Sequence, residues 1–182
     1  LSRNDGLSIE QAFIKRTMDI FVSIVMLVIT SPIFLVTALA IKLYDGGPVF
    51  FYQERCTKDG KVFSICKFRS MIVDAEKNGT SVPATERDPR ITPVGNIIRK
   101  LRVDELPQLL NILKGEMSLV GPRPERIEHV HLYSESIPEF SYRMKVKGGL
   151  TGYAQVYGKY NTTAYDKLKM DLMYIQNYSV LL

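Results

Sequence analysis

Residues 20–41 read IFVSIVMLVITSPIFLVTALAI, a run without one charged side chain. At about 1.5 Å per residue, a straight helix of this length can cross a hydrocarbon core about 30 Å thick. Lys15 and Arg16 precede the run and Lys42 follows it, while Ser31-Pro32 sits at its middle. Proline removes a backbone donor and bends a helix, which leaves each half too short to span. Two readings follow from the run alone. One is a proline-kinked spanning helix; the other is a re-entrant helix whose basic flanks share the cytoplasmic side.

Outward from the run, local signals divide the chain. Residues 1–6 are polar and linker-like, and Ser8 with Gln11 forms a capping-box pattern that opens a lead-in helix. After Asp45-Gly46-Gly47-Pro48, alternation over 49–52 and 62–68 on either side of Lys58-Asp59-Gly60-Lys61 predicts a β-hairpin. Residues 76–88 read as a polar loop. Thr92 then suits an N-cap with Pro93 in the first turn, and Val94, Ile97, Ile98 and Leu101 form the stripe of a short helix. Another helix starts at Asp104 or just after it, carries Leu106, Leu109, Leu110 and Leu113 on one face, and stops at Gly115. A short helix is expected over 125–133 and a turn-rich stretch over 147–152. Tyr165, Leu168, Leu172 and Ile175 mark a last amphipathic helix of a kind that can lie on a membrane.

The chemistry concentrates between Arg99 and Pro124. There Arg99, Lys100 and Arg102 precede the carboxylates Asp104 and Glu105, and Gly121-Pro122-Arg123-Pro124 follows. A carboxylate at a helix N-terminus stays ionised, and a phosphate is drawn to the same place. Attack of one anion on the other requires arginines and a hard divalent cation, so Asp104 is a candidate both as nucleophile and as ligand of Mg²⁺ or Mn²⁺. The same position also suits a plain N-cap. Lys67 and Arg69 fit either a phosphate site or the polar face of a strand in which Cys66 and Phe68 point inward. Arg123, held between two prolines, suits a fixed guanidinium fork.

The order of several longer motifs adds to these readings. Lys67-Phe68-Arg69-Ser70-Met71, Asp88-Pro89-Arg90-Ile91-Thr92, Asp104-Glu105-Leu106-Pro107-Gln108-Leu109, Lys114 through Pro124, and Thr151-Gly152 with Ala154-Gln155 together resemble the bacterial sugar transferases, the monotopic phosphoglycosyl transferases. The resemblance implies transfer of sugar 1-phosphate from a nucleoside diphosphate sugar, usually a UDP-sugar, to polyprenyl phosphate. It also implies Asp104 as nucleophile through a phosphosugar-aspartyl intermediate, with Glu105 as its partner. Lys67, Arg69, Arg99 and Arg123 are the expected phosphate-neutralising residues. It further implies a re-entrant membrane helix broken at Ser31 and Pro32.

The expected fold class is therefore α+β and helix-rich: a monotopic membrane domain with a re-entrant N-terminal helix, interfacial amphipathic helices and a small β-hairpin. Residues 1–17 are expected to form a linker and lead-in helix, 18–42 the membrane helix, and 43–182 a cytoplasmic catalytic domain that stops at Leu182 as a fragment of a larger relative would. Three positions depart from the family pattern: Thr57 stands for a usual glycine, Gly148 for a proline and Lys159 for an arginine. A net charge of +5 suits anionic lipid and phosphate substrates, and an apolar fraction of 46% is too low for a polytopic protein. The expected location is a bacterial cell membrane with the site on its cytoplasmic face. No nucleic-acid motif appears, Cys56 and Cys66 are expected as free thiols, and a homo-oligomer is compatible with the sequence. The competing functions are a non-catalytic module that binds anionic lipid and a polyprenyl phosphate phosphatase.

Overall fold

The computed structural model describes residues 7–75, 88–158 and 162–179. The expected linker, most of the 76–88 loop, Lys159 and the end at Leu182 lie outside them. The elements run α1 (Ile9–Asp45), β1 (Phe50–Cys56), β2 (Val62–Phe68), α2 (Pro93–Lys100), α3 (Gln108–Lys114), β3 (Ser118–Val120), α4 (Ile127–Ser136), β4 (Gly149–Thr151), α5 (Tyr153–Tyr157) and α6 (Ala164–Gln176). Strands β1 and β2 form an antiparallel hairpin with Phe51 opposite Lys67 and Arg55 opposite Phe63. Its turn places Asp59 and Gly60 at φ values of 57° and 71°, the conformation for which Asp-Gly is chosen. Strands β3 and β4 pair in parallel as a second, separate two-stranded sheet.

Helix α1 opens with the expected capping box and closes on Gly46 in the left-handed conformation. Its faces are inverted relative to a helix of a water-soluble core. Buried against the protein are Lys15, Asp19, Ser23, Thr30, Thr37 and Ile41, while Phe21, Val28, Ile29, Leu35, Val36 and Leu43 face outward. By length and composition it is the one helix among the described residues that can cross a membrane.

The expected break at Ser31-Pro32 does not divide the helix, which remains one element of 37 residues. The physical reason lies in the Ser31 hydroxyl. Pro32 has no N–H to give the Val28 carbonyl, and the Ser31 hydroxyl donates to that carbonyl at 2.8 Å instead. The pair therefore costs one main-chain bond and replaces it locally. Lead-in helix and membrane segment are likewise one continuous element across residues 17 and 18.

Both halves of α1 seat on the same body. In the first half, Arg16 donates to the carbonyls of Ile112 and Leu113 at the C-terminus of α3, and Asp19 accepts from the Ser118 hydroxyl and the Leu119 N–H, each at 3.1 Å. Leu27 joins a core of Phe63, Ile65, Leu109, Ile112 and Met117. In the second half, Phe34 and Ala38 pack on a core of Ile41, Phe68 and Ile98, where the Phe34 and Phe68 rings meet edge to face at 5.0 Å. Strand β2 supplies Phe63 to one core and Phe68 to the other, so a single hairpin receives the helix at both ends.

The remaining helices close over the second sheet. Leu168, Tyr174 and Ile175 of α6 are buried, so much of the stripe expected to lie on a membrane is spent on the protein's own core, with Tyr165 left exposed. A buried ion pair locks this region: Arg143 donates to Asp171 at 2.7 and 3.0 Å, with Glu125 at 3.3 Å. Such a pair costs several kcal/mol of stability if one partner is removed, about 3–5 by analogy with other buried pairs.

The Ser31 substitution for a missing main-chain donor gives a direct test. Ser31→Ala should lower unfolding stability in detergent by about 1 kcal/mol, and the same change should cost nothing once Pro32→Leu has restored the N–H. An equal cost in both backgrounds would show that the hydroxyl does not stand in for the backbone.

Candidate active site

Asp104 and Glu105 do not begin an α-helix as the sequence suggests. They lie in a short 3₁₀ turn, Val103–Glu105, and α3 starts at Gln108 with Pro107 as its cap. The N–H groups that a carboxylate could have capped already have partners: Glu105 donates to Arg102, Leu106 to Val103, Leu109 to Leu106 and Leu110 to Pro107. Asp104 is thus released from a capping role. Arg102 enters the turn at φ 58°, a conformation uncommon outside glycine and often associated with functional loops.

Glu105 is the meeting point of three elements. Lys67 reaches it from the end of β2 at 3.3 Å, Arg123 from the Pro-Arg-Pro turn with both guanidinium nitrogens, and Arg102 lies at 3.9 Å. Burial alone would raise the Glu105 carboxyl, but the hydrogen bonds and charges of Arg123 and Lys67 outweigh it and bring its pKa down to about 2. Lys67 is pushed down from its ordinary value by burial and then by repulsion from Arg123, with Glu105 acting the other way.

Asp104 has the opposite character. Its Oδ1 is buried and accepts no hydrogen bond. Burial raises its pKa and the neighbouring Glu105 charge raises it further, against the opposing pull of Lys67, Arg99 and Arg102. Of two adjacent carboxylates, one is saturated by cations and the other keeps an oxygen without a partner. An unpaired buried oxygen is costly unless a ligand or water completes it.

The structure therefore brings together Asp104, Glu105, Lys67 and Arg123, with Arg99 close enough for its charge to act on Asp104 and Asp88. It does not bring Arg69 to them. Arg69 is buried, pairs with Asp45 through both terminal nitrogens, and donates to the carbonyls of Pro48 and Met71. It fastens the end of α1 to the hairpin, because β2 ends where Asp45 turns out of the helix.

Sequence reasoning missed Arg55, whose charge reaches Lys67. The hairpin register puts Arg55 and Lys67 on one face, a signal present in the alternation of β1. Two departures from the family pattern prove to touch each other. The Gly148 N–H donates to the Thr57 hydroxyl at 3.1 Å, and that hydroxyl donates to the Glu116 carbonyl at 3.0 Å. A proline at position 148 would have no N–H to give, and a glycine at 57 no hydroxyl to receive it.

For a divalent cation, the donor set is sparse but suitable. Among the described residues no group of three or more His, Cys, Asp or Glu side chains is assembled. Mg²⁺ commonly takes only one or two carboxylates and completes its shell with water and phosphate oxygens, and the unpartnered Asp104 carboxylate is a hard ligand of that kind.

A family model described as bacterial sugar transferase matches residues 10–182. The chain is 47% identical over 172 residues to the Aeromonas hydrophila UDP-N-acetylgalactosamine-undecaprenyl-phosphate N-acetylgalactosaminephosphotransferase, covering 93% of this chain and 40% of that protein. It is 43% identical over 172 residues to the Escherichia coli K12 UDP-glucose:undecaprenyl-phosphate glucose-1-phosphate transferase, covering 92% and 37%. An exopolysaccharide production protein of Rhizobium leguminosarum is 41% identical over 177 residues, covering 93% and 88%. The chain thus spans about two fifths of the length of the first two relatives.

The charge balance at Glu105 predicts a pH signature. Its folded pKa of about 2 lies below the ordinary 4.5, so its stabilising contribution is present above 4.5 and is lost as pH falls towards 2. Glu105→Gln should be less stable than wild type at neutral pH, and unfolding measurements should show the gap closing over that interval. A gap independent of pH would remove the ion cluster from the account.

Proposed function

The chain belongs to the bacterial sugar transferase family, and on that premise we propose that it transfers sugar 1-phosphate from a UDP-sugar to polyprenyl phosphate at the cytoplasmic face of a bacterial membrane. The observation that carries the chemistry is the asymmetry of the two carboxylates: Asp104 with an unpartnered oxygen, Glu105 saturated. The donor class is supported by the names of the Aeromonas and Escherichia relatives, both of which act on UDP-sugars and undecaprenyl phosphate.

In the first step an Asp104 carboxylate oxygen attacks the phosphorus that bears the sugar. The bond to the bridging oxygen breaks, and that oxygen leaves with UMP. The product is an aspartyl phosphosugar, a mixed anhydride. In the second step an oxygen of polyprenyl phosphate attacks the same phosphorus, the carboxylate departs, and polyprenyl diphosphate sugar is formed. Splitting one displacement between two bulky anions into two steps lets each use the same cations.

The residues divide this work. Arg99, Arg123 and Lys67 offset the charge of the diphosphate, since nucleophile and substrate repel each other. Glu105 keeps Lys67 and Arg123 in register and prevents their collapse onto Asp104. The raised Asp104 pKa favours a more basic oxygen, which is a better nucleophile once ionised. Asp104 would hold Mg²⁺ or Mn²⁺, and the ion, when bound, lowers the negative charge on phosphate oxygens and on the departing nucleotide.

The seating of α1 supports the location. A spanning helix would carry one end away from the body, yet Arg16 and Asp19 near one end and Asp45 near the other all bind to it. Both ends on one side of the membrane satisfies those contacts, and the outward apolar face then meets lipid.

Incubation with UDP-glucose or UDP-N-acetylgalactosamine and polyprenyl phosphate should release UMP. Asp104→Asn should lower turnover by at least about 10⁴-fold while the fold persists, because the amide keeps the shape but is a poor nucleophile. Chelation should abolish release, and Mg²⁺ should restore it. Phosphate release in place of UMP would indicate a phosphatase; membrane binding with neither product would indicate a lipid-binding module.

A further inference from the structure

The Pro122-Arg123-Pro124 turn is pinned on both sides of Arg123. Upstream, the Gly121 N–H donates to the Thr151 carbonyl at 2.8 Å, and the Pro122 carbonyl accepts from the Gly149 N–H at 2.9 Å. Downstream, the Pro124 carbonyl accepts from Arg55 Nη1 at 3.3 Å, and the Glu125 carbonyl accepts from the Cys56 N–H at 2.9 Å. Three of these four bonds join main chain to main chain. The fourth is made by a side chain, and it is the one next to Arg123 on the downstream side.

Arg55 is well placed for this. It precedes Cys56, the last residue of β1, so one stretch of strand grips two successive carbonyls of the turn. Its other terminal nitrogen donates to the Gln53 side chain, which fixes the guanidinium plane. In the hairpin register it shares a face with Lys67, another of the cations on Glu105. Proline on either side of Arg123 restricts the local backbone, so a displaced turn must be taken up by the side chain, whose guanidinium is already held by two bonds to Glu105.

We propose that Arg55 is a positioning residue of the phosphate clamp: by holding the Pro124 carbonyl it sets where the Arg123 guanidinium stands between Glu105 and the diphosphate of the donor. The proposal rests on the function proposed above and deepens it. Arg55 acts through Arg123, so its removal should matter only while Arg123 is present.

A double-mutant cycle tests this on the full chain in detergent. Binding of inorganic pyrophosphate is measured by calorimetry, and the KM for the UDP-sugar is measured alongside. Arg55→Met should weaken pyrophosphate binding and raise donor KM about tenfold, the size expected for loss of one charge-assisted bond at a site. Its effect on kcat should be smaller. Arg123→Met should weaken binding at least as much, and adding Arg55→Met to it should change nothing further. Arg55→Lys keeps one donor and the charge, and should recover most of the loss. Thermal unfolding of each variant accompanies the cycle; if Arg55→Met fails to fold, Arg55→Gln, which stays polar but loses the charge that strengthens the bond, takes its place with the same expected loss.

Additive effects, or wild-type affinity and KM in the Arg55 variant, would overturn the positioning role while leaving the transferase reading intact. A wild type that neither binds pyrophosphate nor releases UMP would remove that reading, and the clamp with it.

Discussion

The whole arrangement depends on a helix that turns its apolar side away from the protein. Helix α1 gives Asp19, Ser23, Thr30 and Thr37 to the body and shows Phe21, Val28, Leu35 and Leu39 outward. In water such a helix would leave a large apolar surface uncovered, and its polar face would gain little from burial. In lipid the same distribution is stable, because the outward side chains leave water, while Asp19 bonds to Ser118 and Leu119 of the body and the Thr30 hydroxyl donates to the Met26 carbonyl of its own helix. Arg16 bonds to the last turn of α3, and Asp45 is tied to Arg69 at the end of β2. The 3₁₀ turn that carries Asp104 lies between those two elements in sequence and packs on β2, next to the residue that ties α1 down, so membrane seating and site geometry meet on one strand.

Within that frame the site is organised by unequal charge. Glu105 gathers Lys67 and Arg123 from elements far apart in the chain, and its charge is thereby stabilised. Asp104, next to it, is half-buried, and its Oδ1 is enclosed without a hydrogen-bond partner. Two like carboxylates in sequence become a fixed structural anion and a reactive one through environment alone, the general route by which neighbouring acids acquire separate roles.

Features specified by a few neighbouring residues could be read before folding was considered. The capping box at Ser8 and Gln11, the Thr92 cap ahead of Pro93, the Asp-Gly hairpin turn and the Gly115 stop are all local, and each forms as the sequence indicates. Long-range pairings were not legible. Arg69 looked like a site residue because it follows Lys67 by two positions, yet it is drawn to Asp45 on another element. Asp104 looked like a helix cap because α3 could begin there, but a 3₁₀ turn with its own backbone bonds intervenes. The Arg143–Asp171 pair, the Arg55 contact to Pro124 and the Thr57–Gly148 bond join residues far apart in sequence, and no periodicity signals them.

The central claim is that the open carboxylate of Asp104 carries the sugar phosphate between donor and acceptor. It is tested most directly by quenching the protein after exposure to a UDP-sugar without polyprenyl phosphate and locating the modification by peptide mass spectrometry. The account predicts a phosphosugar adduct on the peptide containing Asp104, formed with release of UMP and discharged when polyprenyl phosphate is added. Turnover of the same preparation with no adduct at any time point, or an adduct on another residue, would contradict it.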